Sequence, residues 1–450
     1  MITILGAGLA GLSAAFHLQK AGRTDVAVFE KGDRVGGTCC SEYVDGFTFD
    51  YTGHFLHFVT EDVKTLVLEI MGGNIHSLER DSWIFSHSVF TPYPFQQNTY
   101  GLPVEVVKEC IVGLIEAKHN GQKNGVEVPK DRSMNFKEWI DQTFGRGIAK
   151  HFMVPYNEKL WTVPVEELTC AWMGRFIPQP SIEDVIDGAL SRKPQRVGYN
   201  AKLWYPVKGG IEALPRGIAS CVHNVTLNRE AVEIDVKRKA VRFNDGSETF
   251  YERLVSTMPM KQLVRIMKGA PSHVREAAER LRNNSVINVN FGIANRNVSE
   301  KHWIYFPERN YRFYRAGFPH NFSPYQVPSG CSSVNVEISY SGQRPIDYKE
   351  AIQLAKEDLM RADILKASDK IVVEKCLEIS CAYVIYDKNH MNIVDTIQNY
   401  LKEQEIYSIG RYGAWEYSSM EDAIVHGKKI SQKLLEDAEG LTGPSEKRNP

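Results

Sequence analysis

The stretch from Met1 to Glu30 constrains the fold more than any other. Ile2-Thr3-Ile4-Leu5 is a short apolar run suited to a buried strand, and Gly6-Ala7-Gly8-Leu9-Ala10-Gly11 is a glycine-rich turn. Leu12 to Lys20 reads as a helix ending near Gly22, and Val26 to Phe29 as a second strand closing on Glu30. This is G-x-G-x-x-G in the setting that gives it meaning: strand, turn, helix, strand, then an acid roughly 20 residues on. Gly6 permits the tight turn, Gly8 lets the backbone approach a pyrophosphate, and Gly11 lets helix and strand pack closely. The helix N-terminus attracts phosphate charge, and Glu30 is placed to hold a ribose hydroxyl pair. A dinucleotide-binding domain is the consequence.

The next loop, Lys31-Gly32-Asp33-Arg34-Val35-Gly36-Gly37-Thr38, bears on which dinucleotide it is. In flavoproteins resembling the amine oxidases, a doubled glycine here lies along the FAD pyrophosphate and leads toward the isoalloxazine, whereas NAD-only domains usually lack it. FAD is therefore expected, with Lys31, Gly36, Gly37 and Thr38 joining the three motif glycines and Glu30. The plainer reading of Gly36-Gly37 is an ordinary surface turn.

At 450 residues the chain has room for two or three domains and a large core. The formal net charge is −1 with no long basic run, so there is no general electrostatic case for nucleic acid or an anionic membrane. The sequence opens directly in a strand, leaving no room for a signal peptide, and no apolar run reaches the roughly 18 residues of a membrane span. A cytoplasmic location is expected. The eight cysteines form no C-x-x-C pair and no zinc spacing, so reduced, mostly buried thiols and no metal site are expected.

From Glu42 to Val59 the pattern is a strand pair carrying Phe47, Phe49 and Tyr51, followed by Gly53-His54-Phe55. A histidine in an apolar, glycine-led turn is ordinarily a satisfied core residue, but its closeness in sequence to Gly36-Gly37 makes His54 a candidate. Leu102 to Ala117 and Asn135 to Phe144 have helical apolar spacing. Val225 to Phe243 alternates as strands and turns at Asn244-Asp245-Gly246, with Val232 expected to put a backbone group against the adenine. Residues 283 to 342, rich in Val, Ile, Tyr and Phe, suggest a largely antiparallel second sheet roofing the flavin. It is completed by a helix over Tyr348 to Arg361 and a strand over Ile371 to Ile379. Ile406 to Gly413 runs from strand to glycine, and Ser419 to Leu435, with Met420 near its start, is a closing helix whose N-terminus is expected to face the flavin. The expected architecture is α/β: a Rossmann-like FAD-binding domain (1–90, 201–265 and 380–437), an inserted mostly helical domain (91–200), an antiparallel β-sheet substrate domain (266–379), and a disordered tail (438–450).

Several blocks outside the FAD fingerprint resemble the UDP-galactopyranose mutases, closest to the eukaryotic type, within the amine oxidase and protoporphyrinogen oxidase-like FAD superfamily. They are Tyr93-Pro94-Phe95-Gln96; Tyr156-Asn157 with Trp161 and Val163-Pro164; Cys170-Ala171-Trp172-Met173-Gly174; Trp303-Ile304-Tyr305-Phe306-Pro307-Glu308 with Phe313-Tyr314-Arg315-Ala316; Ser323-Pro324-Tyr325; and Gly410-Arg411-Tyr412-Gly413 with Trp415 and Tyr417. The resemblance runs from residue 1 to about 435. It implies a pyranose–furanose isomerase that makes precursors for cell-surface polysaccharide, using reduced FAD without net redox change. In that family flavin N5 attacks the anomeric carbon and the nucleoside diphosphate leaves and returns. NADPH or NADH would be the reductant, a nucleoside diphosphate hexose the partner, and a homo-oligomer is compatible with the sequence.

Carried over by position, the resemblance implies that Arg315 grips the diphosphate and that Tyr305 and Tyr383 bind phosphate. Tyr417 would lie near phosphates and flavin, and Gly410 and Arg411 on the flavin-side loop. Gln96, Asn157, Trp161 and Trp303 would line the nucleotide and sugar pocket, Asn200 would be an active-site asparagine, and His54 would stand beside the isoalloxazine. Departures are equally specific. Phe176 stands where the family has its other clamping arginine, with Arg175 one position earlier; Glu421 replaces an asparagine; His57 replaces an aromatic; and Tyr383-Val384-Ile385-Tyr386 lacks the usual prolines. The competing expectation is an oxidase or desaturase of the amine oxidase or protoporphyrinogen oxidase type, and a third is a flavin-bearing binding protein with a decayed site.

Overall fold

A computed structural model describes residues 1–120, 134–173, 177–191 and 201–441. Its organising layer is a five-stranded, wholly parallel sheet in the order Ile406–Ser408, Arg253–Ser256, Ile2–Leu5, Val26–Phe29, Val225–Thr226. Ile2–Leu5 is buried at every position, as an unbroken apolar run in the middle of a parallel sheet must be. The first helix spans Leu9–Lys20 and so begins earlier than the expected Leu12. Gly8 is its extended N-cap, which puts Gly11 inside the first turn, where a Cβ would lie 2.0 Å from the Gly6 carbonyl oxygen. The closing helix, Met420–Leu441, lies on the first helix through Gly427, whose absent Cβ would fall 2.5 Å from the Ala10 oxygen. Helix therefore continues past residue 438, where the tail was expected to start.

The second sheet has seven strands: Ile371–Ile379, Ser285–Ile293, Ser332–Tyr340, Arg315–Gly317, Trp303–Tyr305, Ser82–Ser86 and Val89–Pro92. Every pair is antiparallel except Trp303–Tyr305 with Ser82–Ser86. The sheet thus reaches beyond the expected 266–379 and recruits a hairpin from before residue 93. The reason is aromatic: Phe85 sits 4.6 Å from Phe90, 5.5 Å from Phe306 and 5.7 Å from Tyr311 by ring centroid, so the hairpin buries its aromatic face against this sheet. The helix Tyr348–Arg361 covers one face with Ala351, Ala355 and Leu359.

Between residues 104 and 161 the chain forms the helices Val104–Asn120 and Phe136–Ile148, a π-type turn over Ala149–Met153, and the helix Val154–Trp161. Asn135 caps the second of these in a reciprocal box with Glu138. Gly145, at φ 74° and packed against Gly113, is non-helical, so the first helical stretch ends at the expected Phe144 and helix resumes beyond a kink. Phe136, Trp139 and Trp161 share one core with Leu254 of the parallel sheet and with Tyr386 and Trp415, so the inserted helices are welded to the first domain. Among the described residues no helix is long and apolar enough to cross a membrane.

The close approaches make glycine substitutions unequal. At Gly145 a Cβ would meet the Gly113 oxygen at 1.9 Å, whereas Gly246, also at positive φ (83°), has nothing within 4 Å. Gly145→Ala is expected to destabilise by about 2 kcal/mol or more through overpacking, and Gly246→Ala by about 1 kcal/mol through backbone strain alone. Urea unfolding of both variants checks the ordering.

Candidate active site

The carboxyl ends of the parallel strands carry the cradle. Gly6 is at φ 102° and Gly36 at φ 123°. Gly36 donates its N–H to the Ala7 oxygen at 2.9 Å and is bridged to Gly8 in parallel register. A Cβ on Gly8 would face the Gly36 oxygen at 3.9 Å and the Gly37 Cα at 4.0 Å, so this channel is walled by backbone. The first helix has no side-chain cap and no acid in its first turn, leaving its N–H groups to an anion. Glu30 is buried, and its carboxylate accepts N–H bonds from Ala7 (2.8 Å) and Gly32 (2.9 Å), tying the acid to the same turn. These features fit the pyrophosphate of a dinucleotide. Gly410, at φ 76°, closes on Ala10, where a Cβ would lie 2.8 Å from that of Ala10, and Met420 is buried at the start of the closing helix. Thr38 reaches the Tyr412 side chain. Lys31 and Val232 are exposed, Val232 in a small separate sheet.

Above this cradle stands a buried ion pair that the sequence did not announce. Arg315 and Glu337 are directly opposed on neighbouring antiparallel strands. Arg315 Nε donates to Glu337 Oε1 at 3.0 Å, and Nη2 donates to Oε1 at 2.7 Å and Oε2 at 2.8 Å. The Arg315 side chain is 20% exposed and that of Glu337 2%. The same carboxylate accepts the Tyr314 hydroxyl at 2.6 Å and the Gly53 N–H at 3.1 Å. Glu337 therefore fixes the guanidinium and anchors the turn bearing His54. Burial opposes the charge on Arg315, but Glu337 and the surrounding tyrosines keep its pKa well above the ordinary arginine value. His54 has Nδ1 3.4 Å from the Thr52 hydroxyl, and burial pulls it down to about 4, so the imidazole is neutral near pH 7.

Tyrosines and tryptophans surround this pair. Tyr305, the strand partner of Arg315, lies 5.4 Å from Tyr93 and 5.5 Å from Tyr156 by ring centroid, and Arg80 rests 4.6 Å from the Tyr93 ring centre. The Tyr383 hydroxyl is 3.4 Å from that of Tyr314. Tyr383 and Tyr417 stack at 6.1 Å, and Trp161 lies 5.6 Å and 5.9 Å from them. Arg411 sits 4.8 Å from the Tyr417 ring centre and donates to the Ser418 oxygen at 2.7 Å and the Ala382 oxygen at 3.2 Å. Burial raises Tyr93, Tyr156, Tyr314 and Tyr383, and pushes Tyr417 up to about 12. At neutral pH these phenols are O–H donors.

The expected residues thus divide. Arg315, Tyr305, Tyr383, Tyr417, Arg411, Trp161 and His54 come together. Trp303 reaches the same wall through Phe55, with ring centroids 5.1 Å apart. Gln96 and Asn157 are buried but engaged within the protein: Gln96 donates to the Pro178 oxygen, and Asn157 donates to the Met153 oxygen and accepts from Trp161 Nε1. Lys31 and Val232 lie away from the aromatic wall. Arg175, Phe176 and Asn200 fall outside the described residues. The Glu421 carboxylate accepts N–H bonds from Val59 and Thr60 and the Thr60 hydroxyl, and so tethers the start of the helix Glu61–Met71. Glu337 was missed, although a carboxylate between Val336 and Ile338 in a strand buried on both faces is itself a signal.

Two family models match the chain: an NAD(P)-binding Rossmann-like domain over residues 4–70 and a flavin containing amine oxidoreductase over residues 127–435. Coproporphyrinogen III oxidase of Staphylococcus aureus is 19% identical over 479 residues, covering 96% of this chain and 98% of that protein. A solved structure of reduced UDP-galactopyranose mutase superposes with a TM-score of 0.90 at 28% identity, covering 97% of this chain and 94% of that one. A putrescine oxidase double mutant superposes at 0.68 with 17% identity over 97% of this chain and 98% of that one, a likeness of fold alone.

Removing one partner of the buried pair strands the other. Glu337→Gln is expected to destabilise by about 3 kcal/mol, with Glu337→Gln/Arg315→Met recovering much of the loss in denaturant melts. For His54 the folded pKa of about 4 lies below the unfolded 6.5, so the unfolded state binds more protons between those values. Its contribution to stability is complete above pH 6.5 and is lost as pH falls toward 4. His54→Gln should show a shallower fall of stability with acidification in this window, by up to one proton taken up on unfolding.

Proposed function

This chain belongs to the flavin containing amine oxidoreductase family, and within it we propose an FAD-dependent mutase that interconverts pyranose and furanose forms of a nucleoside diphosphate hexose. The observation that carries the reading is Arg315, held by Glu337 and faced by Tyr305, Tyr383 and Tyr417. A diphosphate takes charge-assisted bonds from guanidinium and phenol alike, whereas the guanidinium repels a cationic amine and an apolar substrate leaves these polar groups unpaired.

In reduced form FAD supplies the nucleophilic centre that ring exchange requires. Gly6, Gly8, Gly11, Glu30, Gly36 and Gly37 would hold its dinucleotide portion. Arg315 keeps the departing diphosphate near the sugar, so that return of the leaving group competes with its loss to solvent. The tyrosine hydroxyls donate to phosphate oxygens, and burial keeps those of Tyr383 and Tyr417 protonated while they do so. Neutral His54, fixed through the Gly53 N–H on Glu337, presents a ring nitrogen without adding charge beside Arg315. Trp161, Trp172 and Tyr417 wall off water, with Trp161 4.8 Å from Trp172. NADPH or NADH is the proposed reductant.

The test is anaerobic: oxidised or dithionite-reduced protein is incubated with UDP-, dTDP-, GDP- and CDP-hexoses and the products are separated. A new isomer of equal mass from the reduced protein alone is expected, with Glu337→Gln/Arg315→Met, which strands no buried charge, weakening nucleoside diphosphate binding by roughly 1.5–3 kcal/mol while FAD stays bound. No isomer from any sugar, together with peroxide formed in a separate assay in air with an amine or a porphyrinogen, would move the assignment to an oxidase.

A further inference from the structure

The turn Gly410-Arg411, which leaves the strand Ile406–Ser408 at the cradle, is held by a residue on a different element. The Gly410 N–H is buried and donates to His426 Nδ1 at 3.1 Å. His426 lies on the closing helix, next to the Gly427 that seats this helix on Ala10. Because a backbone N–H can only donate, Nδ1 is the acceptor and the ring proton of the neutral imidazole is on Nε2. Nε2 lies 3.3 Å from Glu416 Oε1, and Glu416 returns its own N–H to the Arg411 oxygen at 2.9 Å. One imidazole therefore grips both ends of the turn that carries Arg411 and leads to Tyr417. Gly410 in turn touches Ala10, in the first turn of the phosphate-facing helix.

We infer that His426 is a positioning residue for the flavin: its Nδ1 lone pair seats the Gly410-Arg411 turn against the N-terminus of the first helix. Without that acceptor the buried Gly410 N–H is left unsatisfied and the turn loses its hold on the closing helix. The inference depends on the flavin and not on the sugar, so a failed mutase assay leaves it standing.

The experiment measures FAD dissociation from the holoprotein by fluorescence of released FAD. His426→Asn places an oxygen acceptor where Nδ1 stands and should hold FAD as the wild type does. His426→Leu removes the acceptor and should raise the dissociation constant roughly 3- to 10-fold, the worth of one hydrogen bond. A Leu variant that holds FAD as tightly as wild type, or an Asn variant as weak as the Leu variant, overturns the assignment. If the Leu variant does not fold, His426→Lys, a donor without an acceptor, is compared with Asn under the same two outcomes.

Discussion

A guanidinium buried beside tyrosines needs acceptors; Arg411 finds them in the Ser418 and Ala382 carbonyls, Arg315 in a carboxylate, and the bond between Arg315 and Glu337 is the contact on which the rest of this site depends. The pair lies on adjacent strands of the seven-stranded sheet, in register, with Glu337 2% exposed. Its geometry is specific because every acceptor position of Glu337 is spoken for, by Arg315, Tyr314 and the Gly53 N–H. Isolated buried pairs are poor stabilisers. This one instead fixes direction: it holds one charge rigid among the tyrosines, and it fastens the turn bearing His54 to a strand of the seven-stranded sheet.

The flavin half relies on the opposite device, the removal of side chains. Gly8, Gly11, Gly36, Gly410 and Gly427 let backbone meet backbone or an alanine methyl, so the anion-facing end of the first helix is bordered by N–H groups and carbonyls. The two sheets thus present complementary things to the space between them, a neutral backbone cradle on one side and a fixed cation among phenol donors on the other. Such a division suits chemistry in which a cofactor reacts with a substrate that must be gripped by a charged tail.

Local signals were legible in the sequence and long-range pairings were not. Val26–Phe29, Tyr348–Arg361 and Ile371–Ile379 were readable to the residue, because periodicity and flanking breakers act within a few positions. The first helix started early because Gly11 reads as part of a turn until its contact with Gly6 is seen. The hairpin Ser82–Pro92 looked like part of the first domain by position, and only its aromatic partners on Phe306 and Tyr311 reveal where it pairs. In the site, Arg315 and the tyrosines were found through their blocks, but Glu337 and His426 act across the chain on partners in other elements. Gln96 and Asn157, by contrast, turn their polar groups to the protein itself.

The proposed function requires a site built for a diphosphate and not for an amine. Titrating the holoprotein with UDP, uridine and putrescine, followed by flavin absorbance, asks that question directly. UDP should bind on the order of 100-fold more tightly than uridine, as two charge-assisted bonds would give, and putrescine should leave the flavin spectrum unchanged. Equal affinity for UDP and uridine, or a spectrum perturbed by putrescine and untouched by UDP, would contradict it.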